Sequence, residues 1–314
     1  MPEPQQSTVL VAGEALIDIV HPVGGESTEH VGGSPANVAV GLSRLDHPTR
    51  LATHIGQDER GERITAYLSE RGVTLTEGSD AAERTPTAAA EVDAEGVATY
   101  EFDLQWELPP LDLADVGHLH IGSISATLEP GGQQVVELAG RAREHATVSY
   151  DPNARPSIMG APRDARQRIE ECVGRSNVIK CSTEDIDWLY DGAPAETVAR
   201  EWGRLGPSLV IITQGGDGAM IHLAGSGAST QVAARHIDIV DTVGAGDSFM
   251  AGLVSGLLDE GLLGSVEARG RLADADLDVV RRAVGRAVAT SAYTVAHAGA
   301  ASPTRADLEL PDGG

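Results

Sequence analysis

The chain has 314 residues, 41% hydrophobic and 22% charged, which is enough apolar material to bury a large core. Its formal net charge of −24 disfavours nucleic acid and anionic membrane surfaces, which attract basic patches, so a phosphate-rich ligand must arrive screened by metal. No stretch of apolar residues has transmembrane length, and Cys172 and Cys181 form neither a Cys-x-x-Cys pair nor a disulfide framework, so a cytoplasmic protein without a membrane span is expected.

In chain order, short apolar runs that read as strands fall at 9–12, 51–55, 118–121, 147–150, 177–180 and 209–213. Helical patterns fall between them at 36–45, 61–71, 131–145, 195–204, 245–258 and 277–295. This alternation predicts an α/β fold with a mostly parallel sheet covered by helices, in one domain spanning 1–314. Two segments, about 17–31 and 86–106, interrupt it with Thr- and Val-rich strand pairs. They read either as a small β-sheet lid or as ordinary surface hairpins.

The segment Asp241-Thr242-Val243-Gly244-Ala245-Gly246-Asp247-Ser248-Phe249 is the most informative in the chain. Residues 236–240 before it alternate as a half-buried strand does, and Phe249, Leu253, Val254 and Leu257 after it recur at helical spacing. Gly244 and Gly246 let backbone N–H groups converge at a helix N-terminus, which suits developing phosphoryl charge, with Ala245 between them. Asp247, in the first helical turn, is placed to take a proton from a hydroxyl held beside that nest. The same residues also fit a plain turn with Asp247 as a helix cap. Lys180 is the only lysine and no Gly-Lys-Ser/Thr exists, which excludes a Walker A loop.

The nonapeptide closely resembles the nucleotide-side signature of the ribokinase-like (PfkB) family of carbohydrate kinases. Gly32-Gly33-Ser34-Pro35-Ala36-Asn37-Val38-Ala39 resembles the family's second signature, in the right order about two hundred residues earlier. Asp46 departs from the Gly or Ser usual after the following helix, which is expected to affect local backbone geometry alone. The resemblance implies the ribokinase-like three-layer fold, with a β-sheet lid that covers the sugar and often pairs two subunits into a homodimer.

It also implies roles for individual residues. Asp18, in Gly13-Glu14-Ala15-Leu16-Ile17-Asp18, and Asn37 would bind sugar hydroxyls, while Gly33 admits the sugar to the backbone. Glu14 is kept outside the catalytic set. Gly122-Ser123-Ile124-Ser125 and Asp151-Pro152-Asn153-Ala154-Arg155-Pro156 are similar to fructokinase segments, and Asn153 and Arg155 would face substrate or phosphate. Phe102 or Trp106 would stack on a sugar face or fill the lid. Lys180 and Ser182 are assigned to the nucleotide side. Ser182 and Asp185 stand where many members have Asn-x-x-Glu, so Asp185, or Glu184 in its place, would reach magnesium through water. Thr213, Gly215 and Gly218 resemble the nucleotide-side loop, although Gly-Gly-Asp-Gly also makes a good hairpin. Ala298-Gly299-Ala300 resembles the segment that borders adenine and, in some members, a monovalent cation such as K+. His118 and His120 share a strand face but are read as hydrogen-bonded histidines and not as metal ligands.

The activity implied is transfer of the ATP γ-phosphoryl group, with Mg2+, to a sugar hydroxyl. Fructose is the leading acceptor; 2-keto-3-deoxygluconate, ribose or a nucleoside are the alternatives. A sugar-binding regulator that keeps the fold without catalysis is the reading from a different class.

Overall fold

The computed structural model describes residues 8–21, 26–92 and 98–311. Its strands are β1 (Thr8–Ala12), β2 (Leu16–His21), β3 (Thr28–Gly32), β4 (Thr49–Ala52), β5 (Thr74–Leu75), β6 (Thr87–Val92), β7 (Ala98–Asp103), β8 (Val116–Gly122), β9 (Thr147–Asp151), β10 (Val178–Ser182), β11 (Leu209–Thr213), β12 (Ala219–Leu223) and β13 (Ser229–Val232). The α-helices are α1 (Ser34–Arg44), α2 (Glu59–Ser69), α3 (Gly131–Ala142), α4 (Pro156–Met159), α5 (Pro162–Arg175), α6 (Thr183–Tyr190), α7 (Ala195–Leu205), α8 (Ala245–Asp259), α9 (Val266–Ala273) and α10 (Leu277–Val295).

Nine strands form one sheet in the order β13-β12-β11-β10-β9-β8-β1-β4-β5. Pairing is parallel from β11 through to β5, and β12 and β13 add on antiparallel. Because side chains alternate across a strand, Val9 and Val11 of β1 enter the core on one face, and Leu10 and Ala12 enter the core on the other. Leu209 and Ile211 divide from Val210 and Ile212 in the same way. Strands buried on both faces explain why these runs are continuously apolar. Each fully buried Leu, Ile or Val contributes about 1.5–3 kcal/mol. The result is the expected three-layer arrangement.

The sheet runs one way from β1 through β4 to β5 and the other way from β8 to β11, so the order reverses between β1 and β8. A crevice outside the carboxyl ends of the strands at such a switch is where open α/β sheets bind ligands. The four remaining strands form a separate sheet, β3-β2-β6-β7, in which parallel pairing of β2 with β6 joins two antiparallel pairs. These are the two segments that broke the alternation in the sequence.

Helix α8 is buried along most of its length, pinned between α1 and α10. A Cβ on Gly41 of α1 would lie 2.6 Å from Ala251 Cβ, and one on Gly256 would lie 2.7 Å from Ala283 Cα. These contacts set the position of the helix that carries Asp247 against the helix that carries Asn37.

The structure corrects the sequence reading at 236–240. Despite its alternation this segment joins no sheet, and Ile239 and Val240 are 71% and 62% exposed. Helices α4, α5, α6 and α9 were not anticipated. Asp46 has φ 62, a left-handed conformation that glycine adopts without steric cost, so the departure from the family pattern falls on the local backbone, as expected.

Among the described residues no helix is long and apolar enough to cross a membrane. Cys172 and Cys181 are buried free thiols.

Candidate active site

Asp247 occupies the first turn of α8 and is 7% exposed. Ser34 Oγ donates to its Oδ1 at 2.7 Å, and Asn37 Nδ2 donates to its Oδ2 at 2.8 Å, both from the start of α1. Asn153 Nδ2 adds a longer bond to Oδ1, 3.4 Å, from the loop after β9. All three donors are neutral. Burial raises the Asp247 pKa, while the Ser34 and Asn37 bonds and the more distant Lys180 and Arg155 charges pull it back.

Gly244 caps α8 in a left-handed conformation, φ 73, and a Cβ there would lie 2.6 Å from Ala300 Cβ. The amides of Ala245, Gly246 and Asp247 open the helix, where first-turn N–H groups have no intrahelical acceptor. Asp241 braces this turn. Its Oδ1 accepts from Val243 N at 3.0 Å and its Oδ2 from Gly299 N at 2.8 Å, and these backbone bonds hold its pKa below the usual carboxylate range. Asp241 thereby joins the turn to the 298–300 loop.

Lys180, on β10, is buried and donates to Asp151 Oδ2 at 2.8 Å. Burial opposes its charge, but Asp151, Asp185 and Asp247 outweigh it and keep the ammonium protonated. Burial pushes Asp151 up to about 6, against the pull of Lys180. A Cβ on Gly246 would stand 3.2 Å from Lys180 Nζ, which places the only lysine directly beneath the glycine turn.

Ser182 and Asp185 form a capping box at the start of α6, a contact that differs from the phosphate and magnesium roles expected of them. Asp185 N donates to Ser182 Oγ at 3.0 Å, and Asp185 Oδ2 accepts from Ser182 N at 2.8 Å. Its Oδ1 accepts from Ala154 N at 2.8 Å, fastening the loop after β9. With both oxygens taken by amides, Glu184 is the exposed carboxylate of the pair. Among the described residues no group of three or more His, Cys, Asp or Glu could hold a metal ion.

On the sugar side, Gly33 adopts φ 105, and a Cβ there would collide with the Glu14 carbonyl. Asp18 lies on β2; burial raises its pKa to about 6, with His30 and Arg155 lowering it and Asp247 raising it, so the two aspartates share one field. Glu14 is buried, accepts a 3.3 Å bond from Ser125 N, and has its pKa raised by burial to about 7. Arg155 turns one nitrogen back on its own loop, donating to Asn153 O, Asn153 Oδ1 and Ala154 O at 3.1, 2.7 and 3.0 Å. Trp106 is a buried anchor whose indole N–H donates to Ser125 O at 2.8 Å.

Thr213 ends β11, its hydroxyl donating to Cys181 O at 3.3 Å. The hairpin alternative is also present, since Thr213 pairs with Ala219 across a loop in which Gly215 and Gly218 take φ 54 and 101. Space around Gly215 and Gly216 is open, whereas Gly218 packs against the backbone after β13.

Comparison with known proteins decides the family. A model of the pfkB family of carbohydrate kinases matches residues 6–307. The chain belongs to this family. It is 32% identical to a fructokinase of Rhizobium leguminosarum bv. trifolii over 267 residues, covering 81% of each chain. A fructokinase of Klebsiella pneumoniae is 31% identical over 264 residues, 81% of this chain and 85% of the relative. A fructokinase from Xylella fastidiosa, solved with bound ATP, superposes with a TM-score of 0.83 at 23% identity over 97% of this chain and 98% of the other. The fold is ribokinase-like and the protein is a sugar kinase.

Sequence reasoning left Ser34, Asp151 and Asn153 without definite roles in this carbohydrate kinase. Ser34 and Asn153 sit inside quoted motifs, and only the geometry shows them bonded to Asp247. His118 Nδ1 and Nε2 meet Thr147 Oγ1 and Ser149 Oγ, each at 2.9 Å, and His120 Nδ1 meets Ser149 Oγ at 3.0 Å. Burial drives both pKa values down to about 3, so these are neutral core histidines.

Proposed function

We propose that this kinase transfers the γ-phosphoryl group of ATP to a hydroxyl of fructose, with Asp247 as the general base. The observation that carries the reading is Asp247 itself. It is a buried carboxylate held by neutral donors from α1 and the β9 loop, at the N-terminus of a helix and above the Lys180 ammonium. Its raised pKa moves it toward the basicity that proton abstraction needs.

The substrate hydroxyl gives its proton to Asp247. Its oxygen bonds to the γ-phosphorus as the bond to the bridging oxygen of the ADP leaving group breaks. Amides at Gly244, Ala245 and Gly246 and the field of Lys180 stabilise the transferred charge. Magnesium, when bound, would neutralise the nucleotide phosphates, and Glu184, the exposed carboxylate beside Asp185, would reach it through water. Thr213, Gly215 and the open turn at Gly216 line the nucleotide side.

The sugar pocket favours a neutral acceptor. Asp18, Glu14 and Asp247 all face or flank it, and Arg155 spends one nitrogen on its own loop, so a sugar-acid carboxylate would meet three carboxyls and one compromised cation. The named fructokinases are relatives on the same reading.

The test is ADP release with ATP and magnesium across fructose, 2-keto-3-deoxygluconate, ribose, adenosine and no sugar. Fructose is expected to give the highest kcat/KM, at least tenfold over the sugar acid. Preference for the sugar acid would overturn the acceptor, and silence with every sugar despite sugar binding would favour a non-catalytic regulator.

A further inference from the structure

A second cavity, about 280 Å³, opens at the far end of the catalytic helix, between the C-terminal part of α8, the middle of α10 and the segment 308–310. Glu260 on its rim lies thirteen residues from Asp247, roughly 20 Å along the helix axis at 1.5 Å per residue. In a chain of net charge −24 its lining is an exception: it holds Arg235, Arg282 and Arg286 and a single acid, Glu260.

The three arginines are not equally committed. Arg282 grips Glu260 with two bonds of 2.8 Å. Arg286 gives its Nη1 to Asp259 and to Ser255 Oγ, at 2.6 and 2.9 Å. Arg235 has no hydrogen bond or ion pair among the described residues, and it belongs to the connection that runs from β13 to the turn before α8. One whole guanidinium and the remaining donors of Arg286 thus face a cavity the size of a small metabolite. The wall between them is Gly285, where a Cβ would meet nothing within 4 Å. The α10 backbone is therefore bare at the point where a ligand would rest.

We infer that this cavity is a binding site for a small polyanion, a phosphate ester or polycarboxylate clamped by Arg235 and Arg286 and lying against Gly285. A fork of planar donors suits phosphate and carboxylate oxygens better than any other small ligand class. Glu260 balances Arg282 and Asp259 is shared between Arg286 and Arg305, which leaves positive charge, chiefly that of Arg235, for the ligand to balance. The inference does not depend on which sugar the kinase uses.

Gly285→Leu tests it cleanly. The position is helical, is not left-handed, and has open space, so the new side chain fills the cavity and leaves the fold and the active site untouched. Binding of fructose 1,6-bisphosphate, citrate and inorganic phosphate would be titrated calorimetrically into wild type, Gly285→Leu and Arg235→Ala, with ATP saturating the active site. At least one of the first two probes is expected to bind wild type at one equivalent, with affinity falling tenfold or more in both variants while their thermal midpoints and ATP KM stay at the wild-type values. The ratio of the two probes separates phosphate esters from polycarboxylates. Equal affinity in all three proteins, or no binding by wild type at millimolar probe, would overturn the proposal.

Discussion

Two carboxylates beside the same glycine turn are buried to the same degree and handled in opposite ways. Asp151 is neutralised by a full positive charge, Lys180, at 2.8 Å. Asp247 receives a hydroxyl and two amides, none of them charged. Protonating an ion-paired carboxylate leaves a buried ammonium without its partner, so at Asp151 proton uptake is opposed by Lys180 even though burial favours it. A carboxylate held only by neutral donors keeps its orientation and remains able to take up a proton. The difference fits an anchoring role for Asp151, at the end of β9, and the proton transfer proposed for Asp247, in the first turn of α8.

The largest expected effect comes from removing the functional member. Asp247→Asn keeps the volume, leaves one acceptor oxygen in place of two and cannot accept the proton, so kcat should fall about a thousandfold, with sugar affinity and thermal midpoint close to wild type. Steady-state ADP release and calorimetric sugar titration on the same preparation check it; undiminished turnover would remove Asp247 from the mechanism.

Next is the anchor. Lys180→Met leaves Asp151 buried without its partner, and stability should drop by about 3–5 kcal/mol, read as a lower denaturation midpoint. The double variant Lys180→Met/Asp151→Leu should recover much of this loss. If the single variant is as stable as wild type, the pair is not an anchor.

The smallest effect sharpens the contrast. Ser34→Ala takes one neutral donor from Asp247 and pushes its already raised pKa further up. A base must be deprotonated to work, so the acid limb of the rate profile should move to higher pH by about one unit, with the alkaline plateau largely kept. A pH–rate profile that does not move would mean that Ser34 leaves the basicity of Asp247 unaltered.

The functional half of this contrast was legible in the sequence and the anchoring half was not. Gly244, Gly246 and Asp247 stand out by their spacing at a helix start, whereas Asn37, expected at the sugar hydroxyls, donates to Asp247. Lys180 and Asp151 lie on different strands, 29 residues apart, and nothing local says that their ends meet. The Ser182-x-x-Asp185 cap was readable as a helix start but was absorbed into a ligand role. Strands β1 and β11 were legible because burial on both faces makes them uniformly apolar. Helix α5 was missed because Ala165, Ile169, Cys172 and Val173 form a thin stripe among Arg and Glu, which only packing against α3, α6, α7 and β9 makes significant. The segment 236–240 erred the other way: its alternation is real, but no neighbouring strand offers it an edge.

The bonds around Asp247 also bear on the chain's synthesis. They span 213, 210 and 94 residues, and the turn they support is clipped to Gly299. Arg44 Nε donates to Ser302 O at 2.6 Å and Arg305 Nε to Leu45 O at 2.9 Å, so the last segment also ties down the end of α1. A chain still emerging from the ribosome already owns Asp18, Gly33 and Asn37, yet its base and its phosphate nest arrive only with the final quarter. Contacts of such sequence separation form late in folding. On the proposed mechanism, a half-made chain lacks both the base and the amides that phosphoryl transfer needs, whether to sugar or to water.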